Sequence, residues 1–346
     1  MEKPIFTAID LFSGCGGLTL GLKMAGFKVI GAVDSDPVSV DTYRINHPEV
    51  HTWKRDIREL SLSEVKRKLG MSTGSLDLLA GCPPCQGFSN IRTHRSCVEV
   101  SDPRNDLIFE FLRFVKGLEP RAIMLENVPG LAENGRFKKF CNRLRKMGYV
   151  VNYRILNAAN YGVPQRRYRL ICLAGRNNKI DFAESVSPKK TVRDTIFDLP
   201  EPGNTGDLLH DLPEKRTEKV MSIIRRIPKN GGSRMDLGYH DQLPCHKRCN
   251  GFKDIYGRMK WDDVSPTITS GCFNPSKGRF LHPEQDRAIT LREAALFQSF
   301  PKEYKFSIIG GKNKLGSMIG NALPAVFIKS HATKVAEYLS RNGSRK

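Results

Sequence analysis

Residues 5–34 read IFTAIDLFSGCGGLTLGLKMAGFKVIGAVD, and this stretch indicates the fold. Its apolar beginning, Ile5 to Phe12, predicts a buried strand, and the glycine-rich turn Ser13 to Gly17 follows directly. Leu18 to Ala25 has the periodicity of a helix, and Lys28 to Val33 predicts a second strand. A strand, a tight turn, a helix and another strand make one βαβ unit, so we expect the two strands to be parallel.

The same alternation continues through the first half of the chain. Further strands are predicted at residues 76–80, 122–125, 150–156 and 169–173, with helices beginning near Asp36-Pro37 and covering residues 107–115 and 137–147. This pattern predicts an α/β fold with a Rossmann-like, mostly parallel sheet, in which ligands bind at the carboxyl ends of the strands.

From about residue 180 the pattern changes. Proline and glycine recur and the periodicity weakens, which predicts a smaller, loop-rich domain over residues 180–310. The apolar stretch Met318 to Leu339 predicts a helix that packs back onto the first domain. We therefore expect a ligand-binding domain at 1–179, the loop-rich domain at 180–310 and a returning C-terminal segment at 311–346.

The charge of the chain is unevenly distributed. The 346 residues include 56 Lys and Arg against 36 Asp and Glu, a net charge of +20. Residues 1–133 have a net charge of −1, residues 134–179 of +12 and residues 180–346 of +9. A basic later part suits a polyanion such as nucleic acid, although a solvated basic surface would give the same count.

Hydropathy and cysteine usage bear on the compartment. No apolar run approaches the about 18 to 20 residues that span a bilayer, so we expect no membrane span. The nine cysteines are an odd number scattered along the chain, which argues against a disulfide framework. We expect reduced thiols in a cytoplasmic compartment.

The glycine turn is the first candidate site. Asp34, at the end of the second predicted strand, lies 20 positions beyond Gly14, which is the spacing of a nucleoside site whose carboxylate binds ribose hydroxyls. The turn lacks the third glycine of the dinucleotide fingerprint and the Gly-Lys-Ser of a P-loop. This favours a nucleoside without pyrophosphate over NAD, while a purely structural turn remains an alternative.

The second candidate is the segment Gly81-Cys82-Pro83-Pro84-Cys85-Gln86-Gly87-Phe88-Ser89. The Cys-x-x-Cys pair could bind zinc together with the distant Cys245-His246 and Cys249, or could form a redox dithiol. Alternatively, Cys85 is a nucleophile held at the carboxyl end of a strand. The spacing by itself leaves these three interpretations open.

Two further groups of polar residues flank predicted strands. Glu126 ends an apolar strand. A carboxylate at this position either caps a helix or forms a salt bridge, or it acts as an acid whose pKa is raised by its apolar surroundings. Gln165, Arg167 and Arg169 would lie on one face of the pleat if residue 165 opens a strand. Such a face needs an anionic or polar partner, unless it is a surface basic patch.

Taken in order, these motifs resemble the cytosine-5 DNA methyltransferases of the bacterial type, over nearly the whole chain. The matching segments are Asp10-Leu11-Phe12-Ser13-Gly14-Cys15-Gly16-Gly17, Pro83-Pro84-Cys85-Gln86, Glu126-Asn127-Val128, Gln165-x-Arg167-x-Arg169, Ser265-Pro266-Thr267-Ile268-Thr269, 277–284 and Gly320-Asn321-Ala322-Leu323-Pro324. One departure is Cys82, which stands where glycine is common in the family and adds a second, oxidisable thiol near Cys85.

The resemblance implies a catalytic set. Cys85 would add as a thiolate to carbon 6 of cytosine. Glu126 would hydrogen-bond the exocyclic amine and would protonate or hydrogen-bond ring nitrogen 3. Arg167 would orient and polarise the base, with Gln165 and Arg169 supporting it. The methyl donor would be S-adenosylmethionine, no metal would be needed, and the target cytosine would leave the duplex.

The resemblance also implies the cofactor-binding residues. Phe12 would contact the adenine, Asp34 the ribose and Asp56 the adenine amine. The complete expected set is Phe12, Gly14, Gly16, Gly17, Asp34, Ser35, Asp56, Ile57, Leu107, Asn321 and Ala322.

The partner implied is double-stranded DNA, read by residues 180–310, with residues 89–101 closing over it as a lid. The protein would act as a monomer in the bacterial cytoplasm, associated with the nucleoid and accompanied by a separate restriction endonuclease.

One alternative is a tRNA cytosine-5 methyltransferase, although the Cys-Phe-Thr typical of that branch is absent after Glu126. Another is a non-catalytic, zinc-containing DNA-binding module.

Overall fold

The computed structural model describes residues 5–84, 106–238 and 253–342, and the chain divides into two compact units. Unit 1 comprises Met1–Tyr161, Tyr168–Ser185 and Ala325–Lys346; unit 2 comprises Gly162–Arg167 and Val186–Pro324. These boundaries differ from the expected domains at three places, because residues 162–167 and 311–324 lie in unit 2 and residues 180–185 lie in unit 1. The functions expected of the three domains stay predictions.

The centre of unit 1 is a seven-stranded sheet. Its strands are β1 Thr7–Leu11, β2 Lys28–Asp34, β3 His51–Lys54, β4 Leu78–Gly81, β5 Ala122–Asn127, β6 Tyr149–Asn157 and β7 Tyr168–Arg176. Their order is β3-β2-β1-β4-β5-β7-β6. The first five are parallel, whereas β7 runs antiparallel to both β5 and β6. The predicted mostly parallel α/β sheet is therefore confirmed.

The central strands form because their residues are apolar on both faces. Every residue of β4 and β5 is buried, as expected for parallel strands covered by helices on both sides. The short edge strand β3 was not predicted, because its four residues His-Thr-Trp-Lys have neither an apolar run nor a clear alternation.

The α-helices of the described residues are α1 Gly17–Met24, α2 Pro37–Asn46, α3 Leu62–Leu69, α4 Leu107–Leu118, α5 Gly135–Lys146, α6 Arg193–Ile196, α7 Leu208–Asp211, α8 Glu218–Arg226, α9 Leu291–Phe297, α10 Gly311–Asn321 and α11 Ala325–Arg341. Helices α6 to α10 belong to unit 2. Side chains set several starts: Ser61 caps α3 and Asn134 caps α5. Within the described ranges, no helix is both long enough and apolar enough to cross a bilayer.

The predicted single helix over Met318 to Leu339 is wrong. The segment contains the end of α10 and most of α11, separated at Ala322-Leu323-Pro324. Pro324 has no backbone N–H to continue the hydrogen-bond ladder and disfavours helical geometry at the residue before it. Helix α11 packs against α1 within unit 1, so closely that a Cβ on Gly21 would lie 2.5 Å from the Cβ of Ile328.

His331 on α11 is a fully buried titratable group in unit 1. Its Nδ1 accepts a hydrogen bond from the Ala183 backbone N–H at 3.3 Å, and the rings of Tyr161, Phe327 and Phe182 surround it. Burial lowers the pKa of His331 to about 4, because the charged imidazolium would lose its hydration. The neutral ring is therefore the form that stabilises the fold.

We predict that His331 makes unit 1 sensitive to acid. Its folded pKa of about 4 lies below the unfolded value of 6.5, so its contribution is complete above pH 6.5 and is lost as the pH falls towards 4. Between pH 7 and pH 5 the loss should be about 2 kcal/mol. Urea unfolding at both pH values should show a smaller pH-dependent loss in His331→Phe than in the wild type, and equal losses would contradict the assignment.

Candidate active site

The glycine turn lies at the carboxyl end of β1, beside the ends of β2 and β4. Gly14 and Gly16 adopt left-handed backbone angles, with φ of 52° and 95°, which glycine tolerates without strain. Phe12 also has a positive φ, 63°, although it carries a side chain. A phenylalanine held in this sparsely populated region marks the turn as a candidate ligand site.

Asp34 ends β2, and its side chain is hydrogen-bonded to the glycine turn. Its Oδ2 accepts a hydrogen bond from the Gly14 N–H at 2.8 Å, and its Oδ1 accepts one from the Asp36 N–H at 2.8 Å. Burial raises the pKa of Asp34, and these two hydrogen bonds oppose the rise. The carboxylate is therefore held in one orientation at the strand end.

Asp10 lies in β1 beneath the turn and was not predicted as a functional residue. Its Oδ2 accepts a hydrogen bond from the Thr19 hydroxyl at 2.7 Å, and that hydroxyl also bonds the Tyr43 hydroxyl at 2.8 Å. Burial raises the pKa of Asp10 to about 7. The acidic residue within the apolar run from Ile5 to Phe12 is the sequence signal that indicates this buried set of hydrogen bonds.

The other expected cofactor residues of unit 1 lie around the same strand ends. Phe12, Ile57 and Leu107 belong to one hydrophobic cluster, in which Ile57 and Leu107 are buried and Phe12 is partly buried. Asp56 caps the short 3₁₀ helix Ile57–Glu59 and pairs with the Arg58 side chain. Ser35 is exposed between Asp34 and α2.

A buried ion pair lies at the end of β5. The Arg169 Nε is 2.9 Å from Oε1 of Glu126, whose side chain is only 1% exposed. Glu126 Oε2 also accepts from the Cys82 thiol at 2.8 Å. The sheet brings these residues together, because β4 and β5 end at the same edge and the antiparallel β7 begins beside that edge.

The chain that follows β4 is attached to the same place. The Asn127 side-chain amide donates a hydrogen bond to the Pro83 carbonyl at 2.8 Å. This bond fixes the backbone two residues before Cys85. Cys85 itself lies outside the described residues, as do the expected lid at 89–101 and Cys245, His246 and Cys249. The described part of the chain contains no group of three or more His, Cys, Asp or Glu side chains arranged to hold a metal.

The expectation that Gln165, Arg167 and Arg169 share one face of one strand is wrong. Strand β7 begins at Tyr168, so Arg169 belongs to the sheet of unit 1 while Gln165 and Arg167 belong to unit 2. Arg167 is 2% exposed and donates to the carbonyls of Ile268, Gly320 and Ala322 at 2.9, 3.0 and 3.2 Å. Its guanidinium is therefore engaged in joining segments of unit 2.

Gln165 completes this network within unit 2. Its Oε1 accepts from the Ile268 N–H at 2.9 Å, and its Nε2 donates to Gln298 Oε1 at 2.9 Å. Gly320 permits the close packing, since a Cβ there would lie 2.3 Å from the Thr269 backbone. The network thus connects the segments 165–167, 265–269 and 320–322. Asn321, at the end of α10, is exposed, and Ala322 follows it in unit 2.

Comparison with known proteins decides the family. The model of the C-5 cytosine-specific DNA methylase family matches residues 6–337. The chain belongs to this family. This methylase is 36% identical over 348 residues to the type II methylase M.HgiDII of Herpetosiphon aurantiacus, covering 96% of this chain and 95% of the relative. It is 33% identical over 341 residues to the type II methyltransferase M1.HphI of Haemophilus parahaemolyticus, covering 95% and 86%.

Solved structures share the fold of this methylase. A candidate DNA modification methyltransferase encoded within an E. coli prophage superposes with a TM-score of 0.72 at 23% identity, covering 97% of this chain and 99% of that one. The S. pombe Dnmt2 methyltransferase gives a TM-score of 0.62 at 19% identity, covering 99% and 100%. The seven-stranded, mostly parallel sheet is therefore the fold of known methyltransferase structures.

We predict different consequences for the two arginines. Arg167→Lys should lower the free energy of unfolding by about 2 to 4 kcal/mol, because one ammonium cannot reach the three carbonyls that the guanidinium connects. Arg169→Lys keeps a cation beside Glu126 and should cost less than about 1 kcal/mol, while reducing methyl transfer at least about tenfold. Urea unfolding and methyl incorporation into DNA measure both effects. The opposite order of stabilities would contradict these roles.

Proposed function

We propose that this methylase transfers a methyl group from S-adenosylmethionine to carbon 5 of a flipped-out cytosine in a specific DNA duplex, through a covalent Cys85 adduct. The observation that carries the proposal is the Glu126–Arg169 ion pair, which lies at the strand ends from which the Cys85 segment departs. A cytosine bound there would meet a carboxylate and a guanidinium already held in place.

The chemistry requires a nucleophile, because carbon 5 of cytosine is too electron-poor to accept a methyl group directly. The Cys85 thiolate adds to carbon 6, which makes carbon 5 nucleophilic. S-adenosylmethionine, when bound, supplies the electrophilic methyl group. Loss of the proton from carbon 5 then restores the ring and releases Cys85. The Asn127 bond to Pro83 supports this role, since it restrains the backbone next to the nucleophile.

Glu126 offsets the charge that develops in the ring. We propose that its carboxyl group hydrogen-bonds the exocyclic amine and ring nitrogen 3. Arg169 contacts Glu126 and is the arginine that orients the base, whereas Arg167 and Gln165 act by holding unit 2 together. This assignment exchanges the roles that the resemblance implied for the two arginines, because Arg169 pairs with Glu126 whereas Arg167 donates to backbone carbonyls of unit 2.

The residues of unit 1 fit the cofactor. Gly16, the N-cap of α1, has no side chain, and the first turn of that helix contains no acidic residue, so the positive end of the helix dipole suits the carboxylate of the methionine part. Asp34 is oriented to accept from ribose hydroxyls, and the cluster of Phe12, Ile57 and Leu107 offers an apolar surface to the adenine. The expected contributions of Asn321 and Ala322 stay predictions.

We also propose the biological setting. The relatives are named type II methylases, and we infer that this enzyme modifies double-stranded DNA as a monomer in the bacterial cytoplasm, associated with the nucleoid and with a restriction endonuclease acting separately. Unit 2 would contain the residues that read the sequence. The family model favours DNA over tRNA as substrate, and methyl incorporation into the two nucleic acids compares them directly.

We expect Cys85, and not Cys82, to form the adduct. Bisulfite sequencing of DNA from expressing cells first locates the methylated cytosine. A duplex with 5-fluorocytosine at that position then traps the adduct, because the fluorine on carbon 5 cannot be removed by a base and Cys85 is not released. With cofactor present, wild type and Cys82→Ala should form a covalent complex visible on a denaturing gel, and Cys85→Ala should not. An undiminished complex in Cys85→Ala would overturn the assignment.

We predict that Asp34 contributes to cofactor affinity. Asp34→Ala removes an acceptor of charge-assisted hydrogen bonds and should weaken binding of S-adenosylhomocysteine about 10- to 100-fold in a calorimetric titration. The matched control is Asp41→Ala, which removes a carboxylate from α2. It should leave the affinity for S-adenosylhomocysteine within about twofold of the wild-type value. Equal affinities for the two variants would exclude Asp34 from the cofactor site.

A further inference from the structure

Unit 1 contains a basic groove along its edge strand β3, outside the residues assigned to the cofactor. The cavity has a volume of about 440 Å³, and its charged lining consists of Arg44, Lys54, Arg55, Glu64, Arg67 and Lys68. We call these residues the basic edge groove. Their concentration is unexpected for this part of the chain, because residues 1–133 have a net charge of −1.

Three elements build the groove. β3 pairs with β2 alone and provides the floor. Arg44, in the last turn of α2, donates a hydrogen bond to the Thr52 carbonyl at 2.9 Å, which holds this arginine against the strand. Arg67 and Lys68 come from the last turn of α3, where cations also interact favourably with the helix dipole.

The positive charge of the groove is not compensated. Glu64 is the one carboxylate of its lining, and it accepts from Arg55 at 2.9 Å and from the Trp53 indole at 3.2 Å. Arg44, Lys54, Arg67 and Lys68 are exposed and have no carboxylate partner within the described chain. Five cations and one carboxylate line the cavity, and this excess of positive charge favours an anionic ligand.

The cations also act on a common point. His51 lies in β3 on the groove, and its pKa is lowered by burial and then by the charges of Lys68 and Arg44, while Glu64 acts in the opposite direction. Cations from two different helices are thus close enough to repel a proton from the same imidazole. The groove is a convergent positive site, which distinguishes it from scattered surface lysines.

We propose that the basic edge groove binds phosphodiester groups of the DNA backbone, an inference that rests on DNA being the substrate. Guanidinium and ammonium groups are the side chains that bind backbone phosphates, and these contacts need no particular base sequence. The four residues of β3 extend about 10 Å, which equals about three times the axial rise of about 3.4 Å between successive phosphates of one DNA strand. The groove can therefore contact more than one phosphate.

The test compares two double variants that remove the same net charge. Arg67→Gln with Lys68→Gln changes the groove, whereas Lys66→Gln with Lys116→Gln removes two cations of unit 1 that do not line it. Binding of a labelled 40-bp duplex of arbitrary sequence is measured from about 50 to 200 mM salt. The groove variant should bind the duplex about tenfold more weakly at the lower salt concentration. The magnitude of its slope of log affinity against log salt concentration should be smaller by about 1 to 2, because one or two phosphate contacts are lost.

Each outcome bears on the proposal. Equal affinity and slope in the two double variants would overturn it. If instead inorganic phosphate raises the melting temperature of wild type, but not of the groove variant, while the DNA slopes agree, the groove binds free phosphate and the assignment to DNA is wrong. Bisulfite sequencing of DNA from cells expressing the groove variant tests the proposed function separately. Methylation at the wild-type site should persist, because the groove variant leaves the candidate active site unchanged.

Discussion

The Glu126–Arg169 ion pair is the interaction on which the candidate active site depends. Glu126 is almost fully buried, and an ionised carboxylate in such surroundings needs a partner. The sheet provides one, because parallel β5 ends where antiparallel β7 begins, so the two side chains meet across neighbouring strands. The ends of β4 and β5 also place the Cys82 thiol and the Pro83 carbonyl beside Glu126 and Asn127. A single strand reversal therefore brings together Glu126, its cation Arg169 and the start of the segment that leads to Cys85.

The two arginines at 167 and 169 show how near in sequence different functions can lie. The boundary between the units passes between them, so Arg169 enters β7 while Arg167 connects carbonyls inside unit 2. Both are part of one short motif, and residue type alone does not distinguish an arginine that pairs with a buried carboxylate from one that joins segments. Only the hydrogen-bond partners separate the two roles.

The sequence was sufficient for the features that depend on local pattern. The βαβ beginning, the strand end at Asp34, the strand that carries Glu126 and the glycine turn follow from apolar runs and glycine spacing, and the structure contains them. The short edge strand β3 and the break at Pro324 were missed, because the first is maintained by pairing with β2 and the second lies within a continuous apolar stretch. The basic edge groove could not be predicted either, since its cations come from three separate elements.

A double-mutant cycle on Glu126 and Arg169 tests the central claim most directly. The value of kcat/KM for methyl transfer to DNA is measured for wild type, Glu126→Gln, Arg169→Lys and the double variant. If the pair acts as one unit, the double variant should fall no more than about threefold below the worse single variant. Losses that multiply, so that the double variant falls by the product of the two single effects, would show independent action and contradict the account.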